Sequence, residues 1–254
     1  MIFKVGGCFG SESPGFHSVG FLVNGTLLLE GGTVTSTFSL EEQKAIEDIL
    51  ISHIHLDHTK ELFFLVDNLA PLNLHTITFS GVEAVVDGVK KYLFNEQLWP
   101  DFTRLPNVRK PILRFQIIPE NEYTGIHDLD IKPVKVNHPV PSTGYILREP
   151  GCAVVYTGDT GPTRRIWEEA RAEQELKAVL AETSFPNGME ELAVDSGHLT
   201  PSLLVKELDH LGRPEVPVYV FHMKPMYLDR ILEEVELITK YKVQLLKQKM
   251  TYTF

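Results

Sequence analysis

The chain has 254 residues, of which 43% are hydrophobic and 23% are charged, the profile of an ordinary globular protein with a large core. Its formal net charge of −10 at pH 7 weighs against a long nucleic-acid partner, because non-specific binding to a phosphate backbone depends on lysine and arginine. A small anionic substrate stays compatible with this charge, since bound divalent cations would reverse the local field.

Two cysteines, Cys8 and Cys152, are too few for a disulfide framework, and their spacing does not suggest a metal pair. The first residues, 1–7, do not read as a secretory signal. No apolar run has the length needed to span a bilayer. The sequence therefore predicts a cytoplasmic protein that does not associate with a membrane.

The first fifty residues contain signals for a turn and for a helix cap. Asn24-Gly25 between two short apolar runs predicts a β-hairpin. Ser39, followed by Glu41-Glu42-Gln43, predicts the N-cap of a helix that runs to Asp48. The other predicted strands are 49–51, 76–81, 113–118, 129–136, 144–147, 153–157, 179–181 and 218–221. The other predicted helices are 61–69, 82–94, 164–175, 201–211 and 228–239, and 95–111 is expected to be a long packed loop.

Runs of strands followed by strands that alternate with helices predict an α/β protein, a layered αββα sandwich. The length allows one large α/β domain or two half-size units. We take residues 1–254 as a single domain.

The densest cluster of potential ligands is His53-Ile54-His55-Leu56-Asp57-His58, directly after the predicted strand at 49–51. Imidazole and carboxylate groups suit zinc, manganese or iron. The alternative is a polar loop that binds no metal. Four potential ligands in six positions argue against that alternative.

Three more potential ligands follow other predicted strands: His138, Asp159 and His222. Each alone could be an ordinary capping or hydrogen-bonding loop residue. Their repeated position at a strand end favours metal binding, because ligands of α/β sheets gather where strands end.

Seven residues, in this order along the chain, resemble the ligand series of the metallo-β-lactamase superfamily: His53, His55, Asp57, His58, His138, Asp159 and His222. The resemblance implies the metallo-β-lactamase fold and a centre with two divalent metal ions, zinc being favoured over manganese or iron. It implies that His53, His55 and His138 bind one ion, that Asp57, His58 and His222 bind the other, and that Asp159 bridges them.

Several segments are similar to the narrower family of class II cyclic-nucleotide phosphodiesterases. They are SHIHLDH at 52–58, FNEQLWPDF at 94–102, YTGDTGP at 156–162, ETSFP at 182–186, GHLTP at 197–201 and HMKP at 222–225. Two departures stand beside them: Thr59-Lys60-Glu61 replaces an apolar and then a small residue after His58, and Glu30 stands where an aspartate is usual.

This resemblance implies hydrolysis of a 3′,5′-cyclic nucleotide, cAMP or cGMP, to the 5′-monophosphate by a metal-bridging hydroxide. Asp57 and Asp159 would act in catalysis, and His198 would contact the phosphoryl group or protonate the leaving 3′-oxygen. The alternative for His198 is a helix-terminal residue with no chemical role.

Other residues have two interpretations each. Asn95, Trp99 or Phe102 could shape a pocket for the base, or could belong to the core. Glu182 could orient a ligand histidine, or could be an ordinary loop carboxylate.

Three other functions are open. One is another phosphodiester hydrolase of the superfamily, such as a tRNA 3′-processing nuclease, although no Lys/Arg-rich arm is visible. A second is a lactone, thioester or β-lactam hydrolase, and a third is a metal-binding sensor without catalysis. The expected partner is a small phosphodiester rather than a long nucleic acid, and a homodimer is compatible with the resemblance.

Overall fold

The secondary structure comes from a computed structural model, which describes residues 1–72 and 74–254. Its strands are β1 (Ile2–Gly7), β2 (Gly20–Val23), β3 (Leu27–Leu29), β4 (Asp48–Leu50), β5 (Ile77–Gly81), β6 (Leu113–Ile117), β7 (Thr124–Ile126), β8 (Leu129–Lys135), β9 (Thr143–Glu149), β10 (Cys152–Tyr156), β11 (Leu176–Glu182), β12 (Val218–Phe221), β13 (Val243–Leu245) and β14 (Thr251–Thr253). Its α-helices are α1 (Val34–Thr37), α2 (Leu40–Lys44), α3 (Leu56–Thr59), α4 (Leu62–Leu69), α5 (Glu83–Tyr92), α6 (Arg165–Ala172), α7 (Glu190–Asp195), α8 (Pro201–Leu211) and α9 (Leu228–Glu236). Short 3-10 turns lie at Ala70–Leu72, Asn187–Met189 and Pro225–Tyr227.

The chain divides into two compact units. Unit 1 comprises 1–7, 17–118 and 248–253, and unit 2 comprises 8–16, 119–247 and residue 254. Each unit contains one seven-stranded sheet. The prediction that 1–254 is a single domain stays a prediction.

The sheet of unit 1 has the strand order β14-β1-β2-β3-β4-β5-β6. Its first three pairings are antiparallel, and β3 to β6 run parallel. The β2–β3 turn is the predicted hairpin, with positive φ at Asn24 (48°) and Gly25 (80°), as a tight primed turn requires.

Helix α4 buries Leu62, Leu65, Val66 and Leu69, the i, i+3, i+4, i+7 pattern of one helix face. These side chains belong to one hydrophobic cluster with strand residues such as Ile49 and Phe79. Because β4 and β5 are buried in this cluster, the loop that leaves β4 starts from a fixed position.

The sheet of unit 2 has the order β13-β12-β11-β10-β9-β8-β7. Strands β10, β11, β12 and β13 run parallel to one another, and the pairings from β10 to β7 are antiparallel. Every residue of β10 is buried. The carboxyl ends of β10, β11 and β12 therefore meet at one edge of the sheet, the place where α/β sheets bind ligands.

Helices α6 and α8 pack together in unit 2. The Glu207 carboxylate of α8 is buried and accepts hydrogen bonds from the Trp167 Nε1–H (2.7 Å) and from the Thr163 backbone N–H (2.9 Å). Helix α8 begins with the Thr200 side chain accepting from the Leu203 N–H, and it ends at Gly212, which has φ 62°. This packing holds the segment that follows β10.

The predicted α/β class and the predicted loop at 95–111 agree with the structure, but several predicted helix ends were wrong. Helix α6 ends at Ala172 rather than at residue 175, and helix α9 ends at Glu236 rather than at residue 239. Helix α2 has the predicted cap, a full Ser39/Glu42 capping box, but it ends at Lys44 rather than at Asp48. The reason is strand pairing: the N–H groups of Glu47 and Asp48 donate to the Thr26 carbonyl, and Asp48 pairs with Leu27. No helix among the described residues is long and apolar enough to cross a membrane.

Candidate metal centre

The first group of predicted ligands lies in unit 1, in the residues that follow Ile51. Ser52 Oγ lies 2.9 Å from His53 Nδ1, and His53 Nε2 lies 3.0 Å from His55 Nδ1. Two nitrogens bound to one tetrahedral zinc at about 2.0–2.1 Å would be about 3.3 Å apart. His53 Nε2 and His55 Nδ1 are therefore almost at the separation that two ligands of one zinc ion would have.

The buried Glu30 carboxylate connects the two ends of this segment. Its Oε1 accepts the Ser52 N–H at 3.0 Å, and its Oε2 lies 3.2 Å from His58 Nδ1. Glu30 itself has φ 66°, in the left-handed region, and its N–H donates to the Leu50 carbonyl at 3.0 Å. A carboxylate on Nδ1 orients the ring, so that Nε2 can serve as a metal ligand.

Asp57 lies beside His58 in the short helix α3. Its Oδ2 is 4.0 Å from His58 Nε2, and its side chain is 26% exposed while that of His58 is fully buried. The backbone of this turn packs tightly against the loop after β3: the Gly31 N–H donates to the His58 carbonyl at 2.7 Å, and a Cβ on Gly32 would lie 1.9 Å from the Asp57 carbonyl oxygen. The fold thus fixes both side chains through their backbones.

The second group lies in unit 2, at the edge where β10, β11 and β12 end. Asp159 follows β10, and His222 follows β12 directly. His222 Nε2 is 3.1 Å from Asp159 Oδ2, and its Nδ1 is 2.8 Å from Ser184 Oγ. His222 has φ 67°, and its N–H donates to the Cys8 carbonyl at 2.7 Å. Both side chains are buried, so each is held in one orientation.

His138 is oriented by a backbone carbonyl. Its Nδ1 lies 2.9 Å from the Gly197 oxygen, which leaves Nε2 for a ligand. Gly197 has φ +70°, and a Cβ there would lie 2.6 Å from Pro139 Cδ and 3.0 Å from His138 atoms. Only glycine therefore fits at position 197, directly before His198 and against the His138 segment.

His198 is part of the same cluster. Its ring lies 5.1 Å from that of His138 and stacks on that of His222 at 5.2 Å. Its Nδ1 is 2.9 Å from Glu182 Oε1. The ring is thus held by a carboxylate, an arrangement that a plain helix-terminal residue would not need.

Glu182, the last residue of β11, is completely buried. Besides His198 Nδ1, its oxygens accept from the N–H groups of Thr160 and Leu199, both at 3.2 Å, and from Ser184 Oγ at 3.1 Å. Burial and then the negative charge of Asp159 raise the pKa of Glu182 well above its usual range. The structure gives Glu182 an orienting contact, with His198.

These residues suit a divalent cation. Within unit 2 the ligand atoms of His138, Asp159 and His198 lie within 4.8 Å of one another, as do those of Glu182, His198 and His222. Imidazole and carboxylate donors match zinc, manganese and iron. Two buried carboxylates in one cluster repel each other, and a bound cation would remove that cost.

The sequence alone assigned no role to Ser52 or Ser184, and it marked Glu30 only as a departure from aspartate. Glu30 did carry a signal: it follows β3 as the histidines follow β4, and these are neighbouring parallel strands. The two serines carried none, because hydroxyl groups after strands are common.

The contacts in the loop at 95–111 indicate that its aromatic residues belong to the core rather than to a pocket for the base. Phe102 is 3% exposed within the cluster of unit 1, and Trp99 packs on Phe63 at 5.7 Å and on Phe64 at 5.9 Å. Asn95 Oδ1 accepts the N–H groups of two following residues, and its Nδ2 donates to the Lys91 carbonyl. These contacts account for the segment as a stable loop.

Comparison with known proteins assigns the family. A family model of the cAMP phosphodiesterases class-II matches residues 30–242, a span that contains all seven candidate ligands. The chain belongs to the class-II cAMP phosphodiesterase family. The resemblance found in the motifs is thereby confirmed.

Similar proteins occur in bacteria and in yeast. The chain is 27% identical over 208 residues to a probable 3′,5′-cyclic-nucleotide phosphodiesterase of Yersinia pestis, and 30% identical over 236 residues to 3′,5′-cyclic-nucleotide phosphodiesterase 1 of Saccharomyces cerevisiae. These matches cover 73% and 78% of this chain. They span 59% and 63% of the relatives' own lengths.

Solved structures show the same fold. The unliganded yeast PDE1 structure superposes with a TM-score of 0.84 at 20% identity, covering 98% of each chain. The metallo-β-lactamase fold protein YhfI of Bacillus subtilis gives 0.80 at 16% identity, covering 99% of this chain and 98% of that one. The predicted metallo-β-lactamase fold of this class-II family member is therefore confirmed.

Proposed function

We propose that this protein hydrolyses 3′,5′-cyclic nucleotides, cAMP or cGMP, to 5′-monophosphates with two divalent cations. The observation that carries the proposal is the class-II family match, which spans every candidate ligand. The two related proteins of Yersinia pestis and Saccharomyces cerevisiae are both described as cyclic-nucleotide phosphodiesterases, which supports the same activity here.

The proposed ligand sets are those that the family resemblance implies. One ion would be held by His53, His55 and His138, the other by Asp57, His58 and His222, with Asp159 shared by both. Zinc is the favoured metal, with manganese and iron as alternatives. When bound, such ions lower the pKa of water and neutralise charge on phosphoryl oxygens.

The residues of the chain would handle the protons. Asp57 keeps a side chain that is 26% exposed, so it is the carboxylate best placed to accept the proton that the attacking water releases. Asp159 is buried and would fix position rather than exchange protons with solvent. The bond that forms joins the water oxygen to phosphorus, and the bond that breaks joins phosphorus to the 3′-oxygen.

His198 is the proposed acid for the leaving 3′-oxygen. Its Nδ1 faces the Glu182 carboxylate at 2.9 Å, which orients the ring, and its Nε2 would donate the proton. A substitution of His198 should therefore lower kcat more than it raises KM.

The test is a panel of substrates offered to metal-loaded protein: cAMP, cGMP, bis-p-nitrophenyl phosphate and a precursor tRNA. We expect the cyclic nucleotides to be converted to 5′-monophosphates, and we expect Asp159→Ala to abolish this turnover. Turnover of the generic diester alone, or of the tRNA in preference to the cyclic nucleotides, would contradict the proposed substrate class while leaving a metallohydrolase.

Two further expectations accompany the proposal, a cytoplasmic location and a homodimer. They stay predictions, and size-exclusion chromatography with light scattering tests the second of them. A small phosphodiester substrate rather than a long nucleic acid is in line with the net charge of −10.

A further inference from the structure

A short apolar surface lies beside His198 in unit 2, and it consists of Phe185, Met226 and Tyr227. The Phe185 ring lies 5.8 Å from the His198 ring at 64°, and 6.2 Å from the Tyr227 ring at 47°. Met226 precedes Tyr227 in the 3-10 turn Pro225–Tyr227.

Part of this surface is open to solvent. Phe185 is buried, Tyr227 is half-buried, and Met226 is 79% exposed. A single exposed apolar side chain needs no explanation. An exposed methionine next to an aromatic pair that contacts a buried histidine cluster is a different case, because such surfaces often bind ligands.

The backbone holds these residues in place. The Lys224 N–H donates to the Ser184 carbonyl at 3.2 Å, and the Tyr227 N–H donates to the Lys224 carbonyl at 2.9 Å. The Lys224 ammonium group also donates to the Gly10 carbonyl. The turn that carries Met226 and Tyr227 is therefore tied to the strand end that carries Phe185, and the surface is formed before any ligand arrives.

We propose that Phe185, Met226 and Tyr227 form a subsite for the nucleobase of the substrate, an inference that rests on the proposed function. In a cyclic nucleotide only the ribose separates the phosphate from the base. A phosphate at His198 therefore brings the base to the neighbouring surface. Aromatic rings stack on any base, and a methionine thioether adapts to the ring edge.

Phe64 in unit 1 is another exposed aromatic residue that packs against a second ring. It is 52% exposed and contacts Trp99, which itself packs on the core. The Phe185 ring instead contacts His198, so the Phe185 surface is the better candidate. Phe64 serves as a matched control, since Phe64→Ala removes an exposed aromatic ring of similar size.

The decisive measurement compares cAMP with an abasic ribose 3′,5′-cyclic phosphate as substrates. Tyr227→Ala and Met226→Ala are expected to raise KM for cAMP, with Tyr227→Ala in the range of roughly 5- to 100-fold, and to leave kcat nearly unchanged. Neither should alter the kinetics of the abasic compound. Tyr227→Phe keeps the ring and should restore the KM of the wild type, and Phe64→Ala should leave it unchanged.

Different outcomes separate the subsite from the proposed function. If the wild type hydrolyses cAMP, and neither variant changes the ratio of kcat/KM between cAMP and the abasic compound, the subsite is wrong and the function stands. The subsite is also wrong if Phe64→Ala alone raises KM for cAMP. If the wild type hydrolyses the generic diester but neither cAMP nor cGMP, the proposed function fails and the subsite falls with it. Met226 is so exposed that Met226→Ala should fold normally, which its unfolding midpoint would verify.

Discussion

At the residue scale, candidate ligand histidines are held by neighbours that fix their rings. Glu30 faces His58 Nδ1, the Gly197 carbonyl faces His138 Nδ1, and Ser184 Oγ faces His222 Nδ1. Such partners select the tautomer whose other nitrogen can bind a metal. The proposed metal site therefore depends on groups that are not themselves proposed ligands.

Glu30 gives the first prediction. Glu30→Gln keeps the shape of the side chain but removes the charge that faces His58, so metal affinity should fall by roughly 10- to 100-fold. Competition with a chromogenic chelator measures this. The exposed Glu83→Gln is the matched control and should bind metal as the wild type does. Equal affinities for the Glu30 variant and the wild type would rule out this role.

Two glycines with similar φ angles allow the effect of backbone strain to be measured separately from the effect of a steric clash. Gly197 (φ +70°) and Gly151 (φ +75°) would each be strained by an alanine, at a cost of about 1 kcal/mol. Only at Gly197 would the new Cβ also press on Pro139 and His138, because nothing lies within 4 Å at Gly151. Gly197→Ala should therefore lose more stability in urea unfolding and should weaken metal binding, whereas Gly151→Ala should show the strain alone. Equal effects of the two substitutions would contradict the packing argument.

At the element scale, the parallel strands of each sheet bring distant residues to one edge. Asp159, Glu182 and His222 come together because β10, β11 and β12 run parallel and end there. This placement could be predicted from sequence, since each residue follows an apolar run. The contact between Glu182 and His198, which are 16 residues apart, could not be predicted, because it depends on how the loop after α7 folds back onto β11.

Other elements were predicted wrongly because they also depend on contacts between residues that are distant in sequence. Strands β1 and β14 were not predicted because their pairing joins Ile2 to Thr253, across almost the entire chain, and β14 has only three residues. Helix α2 stops at Lys44 because strand pairing at Asp48 outweighs local helix propensity. The hairpin at Asn24-Gly25 and helix α8 were predicted well, since both depend on local turn and cap chemistry.

Glu207 of helix α8 predicts a pH dependence. Burial raises the pKa of this carboxyl group, although hydrogen bonds from Thr163 and Trp167 oppose the shift. As pH rises from the ordinary glutamate pKa of 4.5 towards the raised folded value, the folded state keeps a proton that the unfolded state has released, so stability is lost. Glu207→Gln cannot ionise, and the free energy of unfolding of this variant relative to the wild type should therefore increase with pH across that window. Urea unfolding at several pH values measures it.

The control for this prediction is Glu191→Gln, which changes an exposed glutamate of helix α7. Its difference from the wild type should stay nearly constant with pH. A Glu207→Gln difference that is flat, or that decreases as pH rises, would contradict the buried-carboxyl explanation.

At the scale of the whole molecule, the chain passes between the two units several times. Unit 1 includes both 1–7 and 248–253, so strand β14 completes its sheet only when the end of the described chain is in place. We therefore expect one cooperative unfolding transition for 1–254, with calorimetric and van't Hoff enthalpies that agree. Two separate transitions in differential scanning calorimetry would instead make each unit an independent domain.

The central claim is that the protein hydrolyses a cyclic nucleotide with two bound metal ions. Zinc should be added stepwise to metal-free protein while the conversion of cAMP to 5′-AMP is followed. We predict that turnover rises to its maximum at two equivalents of metal per chain, and that His53→Ala and His138→Ala, which each remove a proposed ligand of the same ion, lose turnover alike. Full turnover of cAMP without added metal, or with either histidine replaced, would contradict the account.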